Sequence, residues 1–221
     1  MSSERQRRQT RSAVEVAISG FLARSIVTPL LKVPQQTRQD QLNALRPLPG
    51  SVVLLGDSIT EGGEWQELLP TLPVVNRGIS GETASQLLGR VGSPLNRPAA
   101  VVLLIGTNDL ARGVSGLHVA DTVRRILDQI EWTCPDSPVL LQSVMPRSPK
   151  FAAEIRDLNA RYRRLADARA RVDYIDLWPL LSDGPSIRPT YSFDSLHLNG
   201  AGYRAWVSAL RPALERITPG I

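Results

Sequence analysis

The chain has 221 residues, 42% hydrophobic and 21% charged, an ordinary globular composition that can bury about 70% of its unfolded surface without disulfides or a structural metal. A single cysteine, Cys134, excludes a disulfide framework and a cysteine-based metal site. The net charge of +5 resides in residues 1–38, where seven basic side chains face Glu4 and Glu15, while the remainder carries 19 of each sign; the body therefore has no electrostatic basis for a polyanionic partner, and no nucleic acid is expected.

The first predicted element lies in this basic arm. "RQRRQTR" precedes "SAVEVAISGFLARSIVTPLLKV", an order similar to the charged and apolar regions of a signal peptide. Glu15 and Arg24 interrupt the apolar run, no small-x-small cleavage site follows, and the run is too broken to span a bilayer. Val14, Ala17, Ile18, Phe21 and Leu22 fall at helical spacing, which predicts an amphipathic helix ending near Pro29. Three placements stay open for it: packed on the domain, the default; lying on an anionic membrane surface through residues 1–38; or serving as a signal or anchor. The expected compartment is the cytoplasm, with membrane association through the arm as the variant. "RPLPG" at residues 46–50 reads as a connector, dividing the chain into an arm (residues 1–45) and a body (residues 46–221).

From there a rhythm begins. Apolar runs at 51–55, 73–76, 100–105, 138–144 and 172–177 predict strands, and helical patterns lie near 64–70, 83–91, 116–132, 151–171 and 199–217. "AVVLLIG" and "SPVLLQSV" are apolar throughout rather than alternating, as in strands covered on both faces, and strands alternating with helices make a parallel sheet. The expected fold is a three-layer α/β/α sandwich of about five parallel strands. Cys134 is expected as a small apolar filler at a helix end, and Trp65, Trp178 and Tyr191 as core.

Sites in such sheets form beyond the carboxyl ends of the strands. The first strand ends in Gly56-Asp57-Ser58, the second leads into "NRGISGET" (76–83) and the third into "GTND" (106–109). "SITE" (58–61) fits a capping box with Ser58 as N-cap and Glu61 three residues on. The same serine, beside free N–H groups at a helix start, is also placed as a nucleophile. A serine hydroxyl needs a base, and the chain offers two histidines. His118, within a helical pattern, reads as a surface or packing residue. His197 has Asp194 three residues before it, so a carboxylate can hold one ring nitrogen while the other faces outward. Gly81 N–H, the Asn108 amide and Ser58 N–H are suitable donors to an oxyanion. Each cluster taken alone is equally a turn with a helix cap.

Taken together, "GDS" (56–58), "GISGET" (78–83), "GTND" (106–109) and "DSLH" (194–197) resemble the four blocks of the SGNH/GDSL hydrolase superfamily, over roughly residues 50–217. The first block reads "GDSI" in place of "GDSL". The resemblance implies a flavodoxin-like α/β/α sandwich, Ser58 as nucleophile, His197 as base, Asp194 as its partner, and Ser58, Gly81 and Asn108 as the oxyanion hole, with no metal or cofactor. "VVNRGISGETASQLLGRV" and "FDSLHLNGAGYRAW" are most similar to the branch holding platelet-activating-factor acetylhydrolase catalytic subunits and bacterial acetylesterases. That implies a small-molecule ester substrate with a short acyl group, acetyl first, on a sugar or a lipid. The alternatives are an acyltransferase on the same site, a lipase or thioesterase of longer chains, and a non-catalytic binding module.

Overall fold

A computed structural model describes residues 32–219; the helix predicted over 14–22, with its membrane and anchor readings, lies outside them. In chain order the described residues form α1 (residues 32–44), β1 (Val52–Gly56), α2 (Ser58–Glu61), α3 (Trp65–Leu68), β2 (Val74–Gly78) and α4 (Ala84–Leu88). They continue as β3 (Ala100–Leu104), α5 (Thr107–Ala111), α6 (Gly116–Thr133) and β4 (Val139–Gln142). A 3₁₀ turn (Pro149–Phe151) then leads into α7 (Ala152–Asp167), followed by β5 (Val172–Ile175) and α8 (Trp178–Leu181). A short hairpin of β6 (Ser182–Asp183) and β7 (Ser186–Ile187) precedes the last helix, α9 (Gly200–Ile217).

The five main strands form one parallel sheet in the order β2-β1-β3-β4-β5. All residues of β1 and β3 are buried, which explains why those runs are apolar without alternation. The period of two still sorts them. Val53, Leu55, Val101 and Leu103 point to one face, into a core shared with Leu87, Ile126, Leu127, Leu158 and Tyr162 of α4, α6 and α7. Val52, Leu54, Val102 and Leu104 point to the other, against Trp65, Leu181, Trp206 and Leu210 of α3, α8 and α9. These are the three expected layers. β1 has β2 on one side and β3 on the other, so the chain reverses its direction of progress there, and a crevice opens at the strands' carboxyl ends.

Individual helices follow from their sequences. In α6, Val119, Val123, Ile126, Leu127 and Ile130 make the buried stripe, and Ser115 caps the start by accepting from His118 N at 3.3 Å. Cys134 is buried at its end, as expected of an apolar filler, and His118 is exposed on the outer face. Trp65 is buried, its indole N–H donating to Thr60 O at 2.7 Å, while Trp178 and Tyr191 are partly buried against the two cores. Among the described residues no helix is long and apolar enough to cross a membrane.

The helix over residues 32–44 is not anticipated by the sequence. Its inner face buries Leu42 but leaves Val33 66% exposed, so no apolar stripe announces it. Polar contacts hold it instead: Gln35 Nε2 donates to Ser80 O (2.7 Å), Arg38 Nε to Gly78 O (3.4 Å), and Arg77 Nη2 to Leu45 O (3.0 Å) at its end.

The second core turns on Trp206, 1% exposed, its ring edge-on to Trp65 at 4.7 Å and its indole N–H on Gln142 Oε1 at 2.6 Å. Trp206→Ala is expected to cost about 3–5 kcal/mol in urea unfolding. Trp132→Ala, at an 86% exposed position, should stay within about 0.5 kcal/mol of the wild type.

Candidate active site

β1 stops at Gly56 because the chain there runs against its neighbours. A Cβ on Gly56 would collide with the Thr60 side chain and approach Leu104 O to 2.5 Å. The need is for close approach, not for a tight turn. Asp57 follows in extended conformation (φ −98°, ψ −150°), and its Oδ1 accepts from Ile59 N at 3.0 Å. Asp57 is thus the N-cap of α2, and the sequence reading of Ser58 as N-cap is corrected. Ser58 is the first helical residue, so its hydroxyl is not spent on the helix end. Glu61 does not close a capping box either: its Oε2 accepts from both the N–H and the hydroxyl of Ser80, each at 2.5 Å.

The freed hydroxyl meets His197. Ser58 Oγ lies 3.0 Å from His197 Nε2, and His197 Nδ1 lies 2.6 Å from Asp194 Oδ2. The loop carrying both residues is folded on itself. Asp194 Oδ1 accepts from Leu196 N (3.0 Å) and His197 N (2.7 Å), Ser195 adopts φ +62°, and Ser192 bridges Leu198. Asn199 then caps α9 by accepting from Ala201 N and Gly202 N. Burial alone would raise the Asp194 carboxyl, but the bonds from the His197 ring and from the His197 and Leu196 N–H groups outweigh it and hold it well below the usual carboxylate range. An ionised Asp194 keeps the proton on Nδ1 and leaves Nε2 to accept from the Ser58 hydroxyl. The side chains of His197 and Asp194 are 49% and 53% exposed, so the site opens directly on solvent.

Gly81 and Asn108 flank Ser58 from the neighbouring strand ends. Gly81 takes φ +73°, and Gly106, at φ +125°, launches α5. Asn108 Nδ2 donates to Glu82 O at 3.0 Å, which orients the amide and leaves its second proton available. Neither Ser58 N–H nor Gly81 N–H is bonded to another described residue. The structure thus brings the five sequence-predicted residues to one end of the sheet. Trp178 follows the carboxyl end of β5, and Tyr191 O accepts from Asn199 N at 2.9 Å beside the His197 loop. None of Trp178, Tyr191 and His118 is bonded to Ser58 or His197 through its side chain among the described residues. Among the described residues no cluster of three or more His, Cys, Asp or Glu could hold a metal ion.

Beneath these groups lie charged residues that the sequence did not single out. Glu82 and Arg90 form a bidentate pair (2.6 and 2.5 Å), both buried, with Arg90 also donating to Arg77 O. Burial pushes the Glu82 carboxyl up, and Arg90 pulls it back. Asp109 accepts from Ala84 N through both oxygens, tying α5 to α4. Arg147 Nη1 donates to Thr107 O and Oγ1 at 3.2 Å, while its Nε is buried without a partner among the described residues. Glu82 and Asp109 sit inside the motif blocks and could have been found there; Arg90 and Arg147 carry no local signal, because only tertiary packing brings them in.

Asp57 Oδ2 is buried and has no partner among the described residues. Burial drives its carboxyl up to about 7, reinforced by the charges of Glu82 and Asp109 and opposed by the Ile59 N–H and by His197. A folded-state pKa above the unfolded value gives stability that is full below about 3.8 and is lost as pH rises to about 7. Asp57→Asn keeps an oxygen for Ile59 N–H and removes the titration. Urea midpoints between pH 4 and 8 should show the wild type losing stability relative to this variant up to about pH 7. A difference that does not vary with pH would count against a neutral buried carboxyl.

Comparison with known proteins identifies the family of the chain. Residues 54–205 match the model of the GDSL-like Lipase/Acylhydrolase family. The platelet-activating factor acetylhydrolase IB subunit alpha1 of Bos taurus is 29% identical over 179 residues, 75% of this chain and 75% of that protein. A solved structure from Streptococcus pneumonia superposes with a TM-score of 0.81 at 27% identity, covering 87% of this chain and 98% of that one. A GDSL-like lipase from Bacteroides thetaiotaomicron superposes with a TM-score of 0.70 at 25% identity, covering 82% and 97%. With the matched segment running from β1 into α9 and spanning all four motif blocks, the chain belongs to the GDSL-like lipase/acylhydrolase family and is a hydrolase.

Proposed function

We propose that the protein is a serine carboxylester hydrolase that removes short acyl groups, acetyl first, from a small-molecule ester. The observation that carries this reading is the continuous relay from Ser58 Oγ through His197 to Asp194, at 3.0 and 2.6 Å. Ser58 Oγ attacks the acyl carbon as His197 Nε2 takes its proton, and Asp194 stabilises the imidazolium. The oxygen of the tetrahedral intermediate receives hydrogen bonds from Ser58 N–H, Gly81 N–H and the Asn108 amide. The C–O bond to the leaving alcohol breaks as His197 protonates it, leaving an acyl ester on Ser58. Water, deprotonated by His197, then attacks that ester, and Ser58 recovers its proton as the acid departs.

The acetyl preference draws support from the acetylhydrolase name of the bovine relative. A second reading, acyl transfer to an alcohol, is favoured by the half-exposed His197 and Asp194, which give an acceptor hydroxyl the same access as water.

The test is hydrolysis of p-nitrophenyl acetate, butyrate and octanoate by wild type, Ser58→Ala and Asn108→Ala. Ser58→Ala should lose at least about 10³-fold in kcat and Asn108→Ala about 10²–10³-fold, with wild-type turnover falling as the acyl chain lengthens. Retained turnover in Ser58→Ala sinks the nucleophile assignment, and acylated products formed with an added polyol move the reading to acyl transfer.

A further inference from the structure

The segment that precedes the family-matched residues touches the loop that holds the oxyanion donor. Residues 79–82 form a β-turn closed by Glu82 N donating to Ile79 O at 3.2 Å, with Gly81, its third residue, at φ +73°. That angle marks a type II turn, which differs from type I chiefly by a flip of the central peptide. Here the central peptide joins Ser80 to Gly81. Because a trans peptide is planar, the Ser80 carbonyl and the Gly81 N–H point in opposite directions within one plane. Whatever holds Ser80 O therefore aims Gly81 N–H.

What holds it comes from α1. Gln35 Nε2 donates to Ser80 O at 2.7 Å. Three residues on, and so on the same helix face, Arg38 donates to Gly78 O and lies 3.5 Å from Glu61 Oε1. The other oxygen of Glu61 takes the N–H and hydroxyl of Ser80. From the opposite side, Arg112 Nη2 donates to Gly81 O at 2.8 Å. The turn is thus gripped at Gly78, Ser80 and Gly81, and α1 supplies two of the grips.

We propose that α1 is a clamp on the oxyanion turn: Gln35, seconded by Arg38, is a positioning residue that keeps the Ser80–Gly81 peptide in its type II orientation and Gly81 N–H facing the Ser58 side. The clamp rests on the esterase reading above, in which Gly81 N–H stabilises the transition state. Without Gln35 the Ser80 carbonyl can turn to water and the peptide to its type I state, where the donor points away. The clamp acts on the transition state and leaves ground-state binding alone, so it alters kcat and not KM.

The experiment uses the full chain and the variants Gln35→Ala and Asn43→Ala. Asn43 lies on the same helix, but its contact is to Ser93 Oγ at 3.3 Å, away from the turn. Readouts are kcat and KM on p-nitrophenyl acetate, the inhibition constant of a boronic acid that forms a tetrahedral adduct on Ser58, and the melting temperature. Gln35→Ala should lower kcat about tenfold with KM within about twofold, and weaken the boronic acid by a similar factor, with melting within about 2 °C of wild type. Asn43→Ala should match wild type in all of them. Unchanged kcat in Gln35→Ala, a kcat loss without weaker boronic acid binding, or an equal loss in Asn43→Ala overturns the clamp while the esterase reading stands. Wild-type turnover no higher than that of Ser58→Ala overturns the esterase reading and the clamp with it.

Discussion

Burial of β1 on both faces is the constraint on which the site depends. A strand covered by helices above and below has no place for a polar side chain, so the chemistry of this segment waits until the strand ends at Gly56. The same holds for β3, fully buried up to Leu104. Parallel pairing then brings these ends to one side of the sheet, with Gly56 opposite both Gly78 and Leu104. Ser58, Gly81 and Asn108 converge because a buried parallel sheet leaves them nowhere else to be. Only His197 and Asp194 arrive by a different route, on the loop that enters α9.

The sheet's capacity to exclude water carries a second consequence. Asp57, Glu82 and Asp109 are all buried under the polar edge, three carboxyls in a small space where unscreened like charges repel strongly. Each is managed differently. Burial pushes all three up; Glu82 has the buried Arg90 as a bidentate partner, Asp109 takes a backbone N–H at both oxygens, and Asp57, with one oxygen unpartnered among the described residues, is driven up to about 7. Asp57 and Asp109 bond to backbone N–H groups, while Glu82 bonds to the Arg90 side chain, which in turn donates to Arg77 O. These carboxyls tie the turns together, while Ser58 N–H and Gly81 N–H are bonded to no other described residue and Asn108 keeps one amide proton free.

Much of this was legible in the residues. The five strands and the long helices showed through their apolar runs and their 3.6-residue stripes, Ser58, Gly81 and Asn108 through short polar blocks at strand ends, and His197 through the Asp194 three residues before it on the loop that enters α9. The capping of α2 was misread because Asp57 and Ser58 are both good caps at adjacent positions; only backbone angles decide that Asp57 accepts from Ile59 N–H. α1 was invisible for the opposite reason. Its docking relies on Gln35 and Arg38 donating to carbonyls about 40 residues away, and hydrogen bonds to backbone leave no period in the sequence. Arg147 was missed likewise, since its partner Thr107 lies on another strand's end.

The contact between Ser58 and His197 joins residues 139 apart in sequence. Domains generally fold as units, and the residues that follow His197 supply Trp206, Leu210 and Leu214 to the second core. During synthesis the sheet therefore stays bare on that face until the loop carrying His197 and the helix after it have both been made. The contact at Ser58 and the cover of the sheet are completed by the same last stretch of chain. A product truncated before that loop would lose its fold and its Ser58–His197 contact together.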